Sequence, residues 1–148
     1  MALSRKKKNE SKNMHFSRED QRKILSSSSP FIVKEAYSSI RTNLLFSQKG
    51  DECPVFIVTS PTANNGKSIN SVNMAVSFAQ MGKKTLLIDA DMRNPTVHRL
   101  FSIPVKNGLS EILAGLTDSI TVSKTDIENL SVLTAGKIPP NPSELLAS

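Results

Sequence analysis

The stretch Val55–Ser68, VFIVTSPTANNGKS, constrains the chain more than any other. An apolar, β-branched run passes through Ser-Pro and Asn-Asn into Gly66-Lys67-Ser68, which reads as a strand, a loop and a helix start. Such a loop points consecutive backbone N–H groups into one concavity at a helix N-terminus, where the partial positive charge also favours anions. Lys67 is then placed to reach the β/γ oxygens of a polyphosphate and Ser68 to ligate Mg²⁺, with Ser60, Asn64, Asn65, Gly66 and Ile69 completing the candidate cradle. The first glycine of G-x-x-x-x-G-K-[ST] is replaced here by Pro61, and Asn64 and Asn65 stand where glycine would ease the turn. Asparagine tolerates positive φ, so the turn remains accessible. Gly-Lys-Ser alone is common punctuation, and its neighbours must decide.

Val55–Thr59 has the short, β-branched make-up of a strand buried on both faces of a parallel sheet. After Lys67, the residues Val72, Ala75, Val76 and Ala79 recur at helical spacing and Gly82 follows as a stop, predicting a helix of about 15 residues. Thr85–Ile88 returns to an unbroken apolar run, so the order is that of a right-handed βαβ unit. That run ends in Asp89-Ala90-Asp91. Alternation along a strand puts both carboxylates on one side, at the carboxyl end of a strand neighbouring the loop. Paired acids beside a bound Mg·nucleotide can hold metal waters and accept a proton from an attacking hydroxyl, while Arg93 could offset developing negative charge. Either acid alone reads as a helix cap; the pair at this place points to function.

With 148 residues and 38% apolar content, one compact domain plus a tail is expected. The basic excess is local: residues 1–25 carry eight Lys and Arg against three Asp and Glu, leaving the remainder nearly neutral. Residues 1–30 therefore read as a basic, disordered arm and linker, and 31–148 as the folded domain. No basic face interleaved with aromatics is present, so no specific nucleic-acid partner is expected. The single cysteine, Cys53, excludes an internal disulfide and reads as an inert buried thiol. No apolar stretch approaches the length of a membrane span.

Elsewhere, Val33, Ala36, Tyr37, Ile40 and Leu44 mark one face of a helix of about four turns. Lys34, Glu35, Ser38, Arg41 and Asn43 turn largely elsewhere; the helix reads first as simple packing against the domain, with pairing of Glu35 and Arg41, on a partly exposed face, to another subunit as the alternative. Asn94-Pro95 signals a short helix through Phe101, containing His98 as a packing or surface residue. Gly108–Gly115 predicts another, with Leu109, Ile112 and Leu113 inward. Leu130–Thr134 reads as a third strand, and Pro139–Pro142 as a stiff turn into a helix beginning near Ser143.

These segments resemble the cytoplasmic catalytic domain of bacterial tyrosine kinases (BY-kinases) of capsule and exopolysaccharide loci, within the deviant Walker A class of P-loop ATPases. The resemblance runs from about Lys34 to Ser148 and rests on EAYSSIRTNLLFS (35–47), VTSPTANNGKS (58–68), LLIDADMRNP with HRLF (86–101), GLSEILAG (108–115) and LTAGKIPPNPSELLAS (133–148). It implies an α/β fold, a three-layer αβα P-loop arrangement with a parallel sheet. It further implies ATP and Mg²⁺, γ-phosphoryl transfer to tyrosine, ring-like homo-oligomers, and a membrane-embedded polysaccharide co-polymerase-type adaptor that would hold the protein at the inner face of the cell membrane. By position, Lys67 matches the phosphate-binding lysine, Ser68 the Mg²⁺ ligand, and Asp89 and Asp91 the second acidic motif, with Asp89 as the acid next to metal and acceptor hydroxyl.

Three departures accompany the match. Ala63-Asn64-Asn65 replaces the usual Pro-Gly-Glu. The oligomer motif of Glu, Arg, Arg at three-residue spacing keeps Glu35 and Arg41 but has Ser38 between them, implying a weakened intersubunit ion-pair network. The family's further strand, which ends in the Walker B aspartate, and its tyrosine-rich tail are absent from these 148 residues, whose one tyrosine is Tyr37; the expectation is a truncated member whose transfer activity is impaired. Two alternatives stand beside it: a non-catalytic nucleotide- or adaptor-binding fragment, and a partition-type ATPase, disfavoured because Pro61 and Thr62 stand where such proteins carry a lysine.

Overall fold

The computed structural model describes residues 19–48, 50, 53–62 and 65–147. The order of elements is α1 (Phe31–Ser47), α2 (Lys67–Gln80), β1 (Thr85–Ile88), α3 (Val97–Leu100), α4 (Leu109–Leu113), β2 (Ser123–Lys124), β3 (Leu130–Leu133) and α5 (Pro142–Leu146). Among the described residues the sheet has the order β1-β3-β2. β1 and β3 run parallel, pairing Thr85 with Leu130 and Ile88 with Leu133, whereas β2 is antiparallel to β3. The sheet is therefore mixed rather than wholly parallel, because Asn129 at φ 65 and the turn from Thr125 to Leu130 fold β2 back on its neighbour as a hairpin.

α2 forms as its periodicity predicts. Val72, Ala75, Val76 and Ala79 are all buried and meet Val97, Leu100, Leu130 and Val132 in one apolar cluster. Gly82 at φ 82 then turns the chain into β1, a left-handed conformation that a side chain would resist.

Val55–Thr59 differs from expectation. It is not a strand: no β-bridge forms there, and Val55 and Ile57 are 84% and 88% exposed. A two-face-buried strand needs paired neighbours and cover on both sides, and none of the described strands pairs with this segment. Its one aromatic, Phe56, stacks on Phe78 of α2 with ring centroids 5.7 Å apart. Cys53, expected inside, is exposed with it.

The N-terminal boundary also moves. Residues 1–18 lie outside the described residues, so the arm expected there stays an expectation, but Leu25 is a core residue. Its backbone N–H donates to Asn73 Oδ1 at 2.8 Å, and Asn73 Nδ2 donates to the Lys23 carbonyl at 3.0 Å. Gln21 Nε2 reaches the Arg99 carbonyl at 3.1 Å. The strap 21–25 is thereby laid over α2 and α3, and the folded unit starts before residue 31. No helix among the described residues is long and apolar enough to cross a membrane.

Candidate functional site

The site forms where α2 starts and β1 ends. Gly66, at φ 73, adopts the left-handed conformation that hands the loop to the helix, and no side chain caps α2. The first-turn N–H groups that a helix leaves unpaired therefore have no side-chain acceptor, and together with Lys67 they make a cradle whose chemistry fits a phosphate. Ser68 and Ile69 follow in the same turn, half-buried. Before it, Ser60 Oγ donates to the Thr62 carbonyl at 2.8 Å and Asn65 Nδ2 to Thr62 Oγ1 at 2.5 Å, closing the loop by side-chain bonds. Asn64, with Ala63, lies outside the described residues.

Lys67 Nζ forms an ion pair with Asp91 Oδ2. It ties the helix start to the end of β1 and brings together two of the residues singled out from sequence. The other oxygen of Asp91 accepts from the Asn94 N–H at 3.0 Å and the Arg93 N–H at 3.3 Å. Partial burial would raise the Asp91 carboxyl, but the Lys67 hydrogen bond, these backbone donors and the Lys67 charge hold it below the ordinary value.

Asp89 behaves differently. It is 5% exposed, with Oδ1 accepting the Asp91 N–H at 3.1 Å and Oδ2 accepting the Thr96 and Val97 N–H groups at 3.2 and 3.1 Å. It caps α3 from a distance, which is why α3 starts at Val97 and not at the Asn94-Pro95 signal. Burial raises its carboxyl above the ordinary value, against those three N–H donors. The two acids, alike in sequence, are thus divided: one inside and committed to backbone, one half-exposed on Lys67.

Arg93 Nη2 donates to Ser143 Oγ at 2.9 Å, linking the acidic loop to the first turn of α5. His98 is half-buried on α3; burial, then the Arg99 charge, lowers its pKa, and Asp89 opposes them. Among the described residues no cluster of three His, Cys, Asp or Glu could hold a metal unaided, so a divalent ion here would need phosphate or water oxygens as well.

Arg41 does not lie on the outer face of α1. Its Nη1 donates to the Ser77 carbonyl at 2.8 Å and to Ser77 Oγ at 3.0 Å, and its Nη2 to Ser38 Oγ at 2.9 Å. The inward face of α1 is Val33, Tyr37, Arg41 and Leu44, with Ala36 and Ile40 turned out. A long side chain with a polar tip can lie along a helix pair that an apolar-only count would leave to Ile40. Of the expected oligomer contacts, only Glu35 is exposed.

Sequence reasoning missed the staple built by Glu111. On α4 the buried residues are Ser110 and Glu111 rather than Leu109, Ile112 and Leu113. Glu111 accepts the Gly108 N–H at 3.0 Å, Ser110 Oγ at 3.0 Å and the Lys137 N–H at 3.2 Å, locking α4 to the loop after β3. Gly136, at φ 82, is required there because a Cβ would strike the Glu111 carboxylate. The pairing of Gly-x-x-Glu with a later Ala-Gly-Lys was a signal available in the sequence, but only once their adjacency is known.

No protein-family model matches the chain. Curated relatives do. It is 42% identical over 130 residues to the tyrosine-protein kinase YwqD of Bacillus subtilis, covering 86% of this chain and 55% of that one. It is 44% identical over 118 residues to the tyrosine-protein kinase CpsD of Streptococcus pneumoniae, covering 78% and 51%. The solved BceF tyrosine kinase domain superimposes with a TM-score of 0.74 at 42% identity, over 84% of this chain and 50% of that one. The chain spans about half the length of the curated relatives it matches. On these likenesses the chain belongs to the bacterial tyrosine kinase family.

Proposed function

We propose that the chain is an ATP-binding, tyrosine-kinase-type protein of capsule or exopolysaccharide synthesis, with its nucleotide site at the α2 N-terminus. The observation that carries this reading is the Lys67–Asp91 ion pair, which joins a phosphate-type helix start to an acidic strand end in a chain 42% identical to a tyrosine-protein kinase. MgATP would supply the transferable phosphoryl group and the divalent charge. The N–H groups of the first α2 turn would hold phosphate oxygens, Lys67 would exchange Asp91 for them, and the Ser68 hydroxyl would face the metal. Asp91, still oriented by the Arg93 and Asn94 N–H groups, is our choice for the acid beside metal and acceptor hydroxyl. Asp89 then positions that loop instead of touching the reacting atoms.

By the same family reading, the partner is a membrane-embedded polysaccharide co-polymerase-type adaptor, which would bring the protein to the inner face of the membrane. Glu35, beside the outward Ala36 and Ile40, is the proposed contact to a second copy. Fluorescent mant-ATP titration and transfer of ³²P from ATP to a tyrosine peptide test the site: the wild type binds and transfers, and Lys67→Met loses at least about tenfold in affinity, as expected for one charge-assisted phosphate contact. Equal binding by Lys67→Met would remove the reading. Binding with no ³²P transfer would instead select a second reading, nucleotide binding without transfer.

A further inference from the structure

Behind the α2 start lies a chain of hydrogen bonds that the nucleotide reading does not use. Asn73 of α2, 3% exposed, accepts the Leu25 N–H with Oδ1, while its Nδ2 donates to the Lys23 carbonyl at 3.0 Å and to Tyr37 Oη at 3.3 Å. Tyr37 Oη in turn lies 2.7 Å from Asn70 Oδ1, and Asn70 Nδ2 donates to the Gly66 carbonyl at 3.0 Å. The direction of this relay is forced from both ends. A carbonyl only accepts, so the end of Asn70 facing Gly66 must be its NH₂, and its oxygen must face Tyr37. The single hydroxyl proton of Tyr37 is therefore spent on Asn70, leaving its lone pairs for Asn73.

The receiving atom gives the relay its meaning. The Gly66 carbonyl takes two donors, Asn70 Nδ2 and the Asn70 N–H at 2.9 Å. Gly66 C=O and Lys67 N–H belong to one planar trans peptide, in which the two bonds point in opposite directions. Drawing the carbonyl down toward α2 thus aims the Lys67 N–H back into the loop. Gly66 has an unusually wide choice of backbone conformation, and no side chain caps the helix to restrict it.

We propose that Tyr37 is a positioning residue for the phosphate loop: through Asn70 it fixes the Gly66–Lys67 peptide plane, and through Asn73 it couples that plane to the strap at Lys23–Leu25. The inference rests on the nucleotide reading for its consequence but not for its geometry. Tyr37→Phe keeps the ring and removes only the hydroxyl, and Asn73 keeps its bonds to Lys23 and Leu25.

The test has two arms on the full chain. In ligand-free protein, hydrogen exchange of the Asn70 amide, which donates to the Gly66 carbonyl, should quicken about three- to tenfold in Tyr37→Phe, while core amides of β3 exchange as in the wild type. In mant-ATP titration, Tyr37→Phe should weaken binding about three- to tenfold, the range of one lost hydrogen bond. Asn70→Ala should do the same, and the double variant should be no worse than Asn70→Ala alone. Unchanged exchange of the Asn70 amide in Tyr37→Phe, or strictly additive losses, would overturn the proposal. Failure of the wild type to bind mant-ATP would overturn the nucleotide reading instead, and the exchange arm would still decide the role of Tyr37.

Discussion

Asp89 and Asp91 are separated by one alanine, yet they do opposite things. For Asp89, desolvation makes the neutral form the favoured one, so its contribution to stability falls as pH rises from 3.8 toward its raised folded value. For Asp91 the folded carboxyl is lowered, so its contribution is present above 3.8 and lost as pH falls through the lower folded value. Removing the two side chains should separate structure from function. Asp89→Ala leaves three N–H groups without their acceptor inside the protein and is expected to cost about 3 kcal/mol in urea unfolding. Asp91→Ala breaks a half-exposed ion pair and should cost under about 1 kcal/mol while altering nucleotide binding. Equal losses of stability would contradict the division drawn between them.

At the scale of elements, α4 shows how a charged residue can serve as packing. Glu111 is 7% exposed, and although burial would raise its carboxyl, the N–H groups of Gly108 and Lys137 and the Ser110 hydroxyl hold it below 4.5. A depressed carboxyl stabilises above its unfolded value and ceases to do so as pH falls through the folded one. Glu111→Gln should therefore cost about 1–2 kcal/mol at pH 7. It should also unfold with a shallower loss of stability than the wild type on titration downward from pH 4.5, followed by far-UV circular dichroism. The sequence showed α2, β1, β3 and a helix beginning near Ser143, one residue after the observed start of α5, because each is dictated by periodicity or by a local stop. It misjudged α1 by one face and α4 by its buried pair, because Arg41 with Ser77 and Glu111 with Lys137 are contacts between residues 36 and 26 positions apart. Lys67 and Asp91 were legible as chemistry; that Asp89 would be taken by the α3 start was not, since the donors come from residues seven and eight positions on.

The whole molecule is held on one side more firmly than on the other. Strap, α1, α2 and α3 converge on one face of β1 and β3, with Leu25, Val76 and Val132 in the shared core. Toward the other face, Leu86 and Ile88 of β1 are 49% and 47% exposed, and β1 is an edge strand among the described residues. The phosphate loop's two ends are anchored unequally: Gly66 by a helix and a relay of side chains, the segment before the loop by the ring of Phe56 resting on Phe78. Lifting that ring costs about 0.5–1.5 kcal/mol beyond its buried area, far less than unfolding a domain. Chymotrypsin should accordingly nick the native chain after Phe56 well before it touches Phe78, a preference readable by mass spectrometry within minutes of mixing.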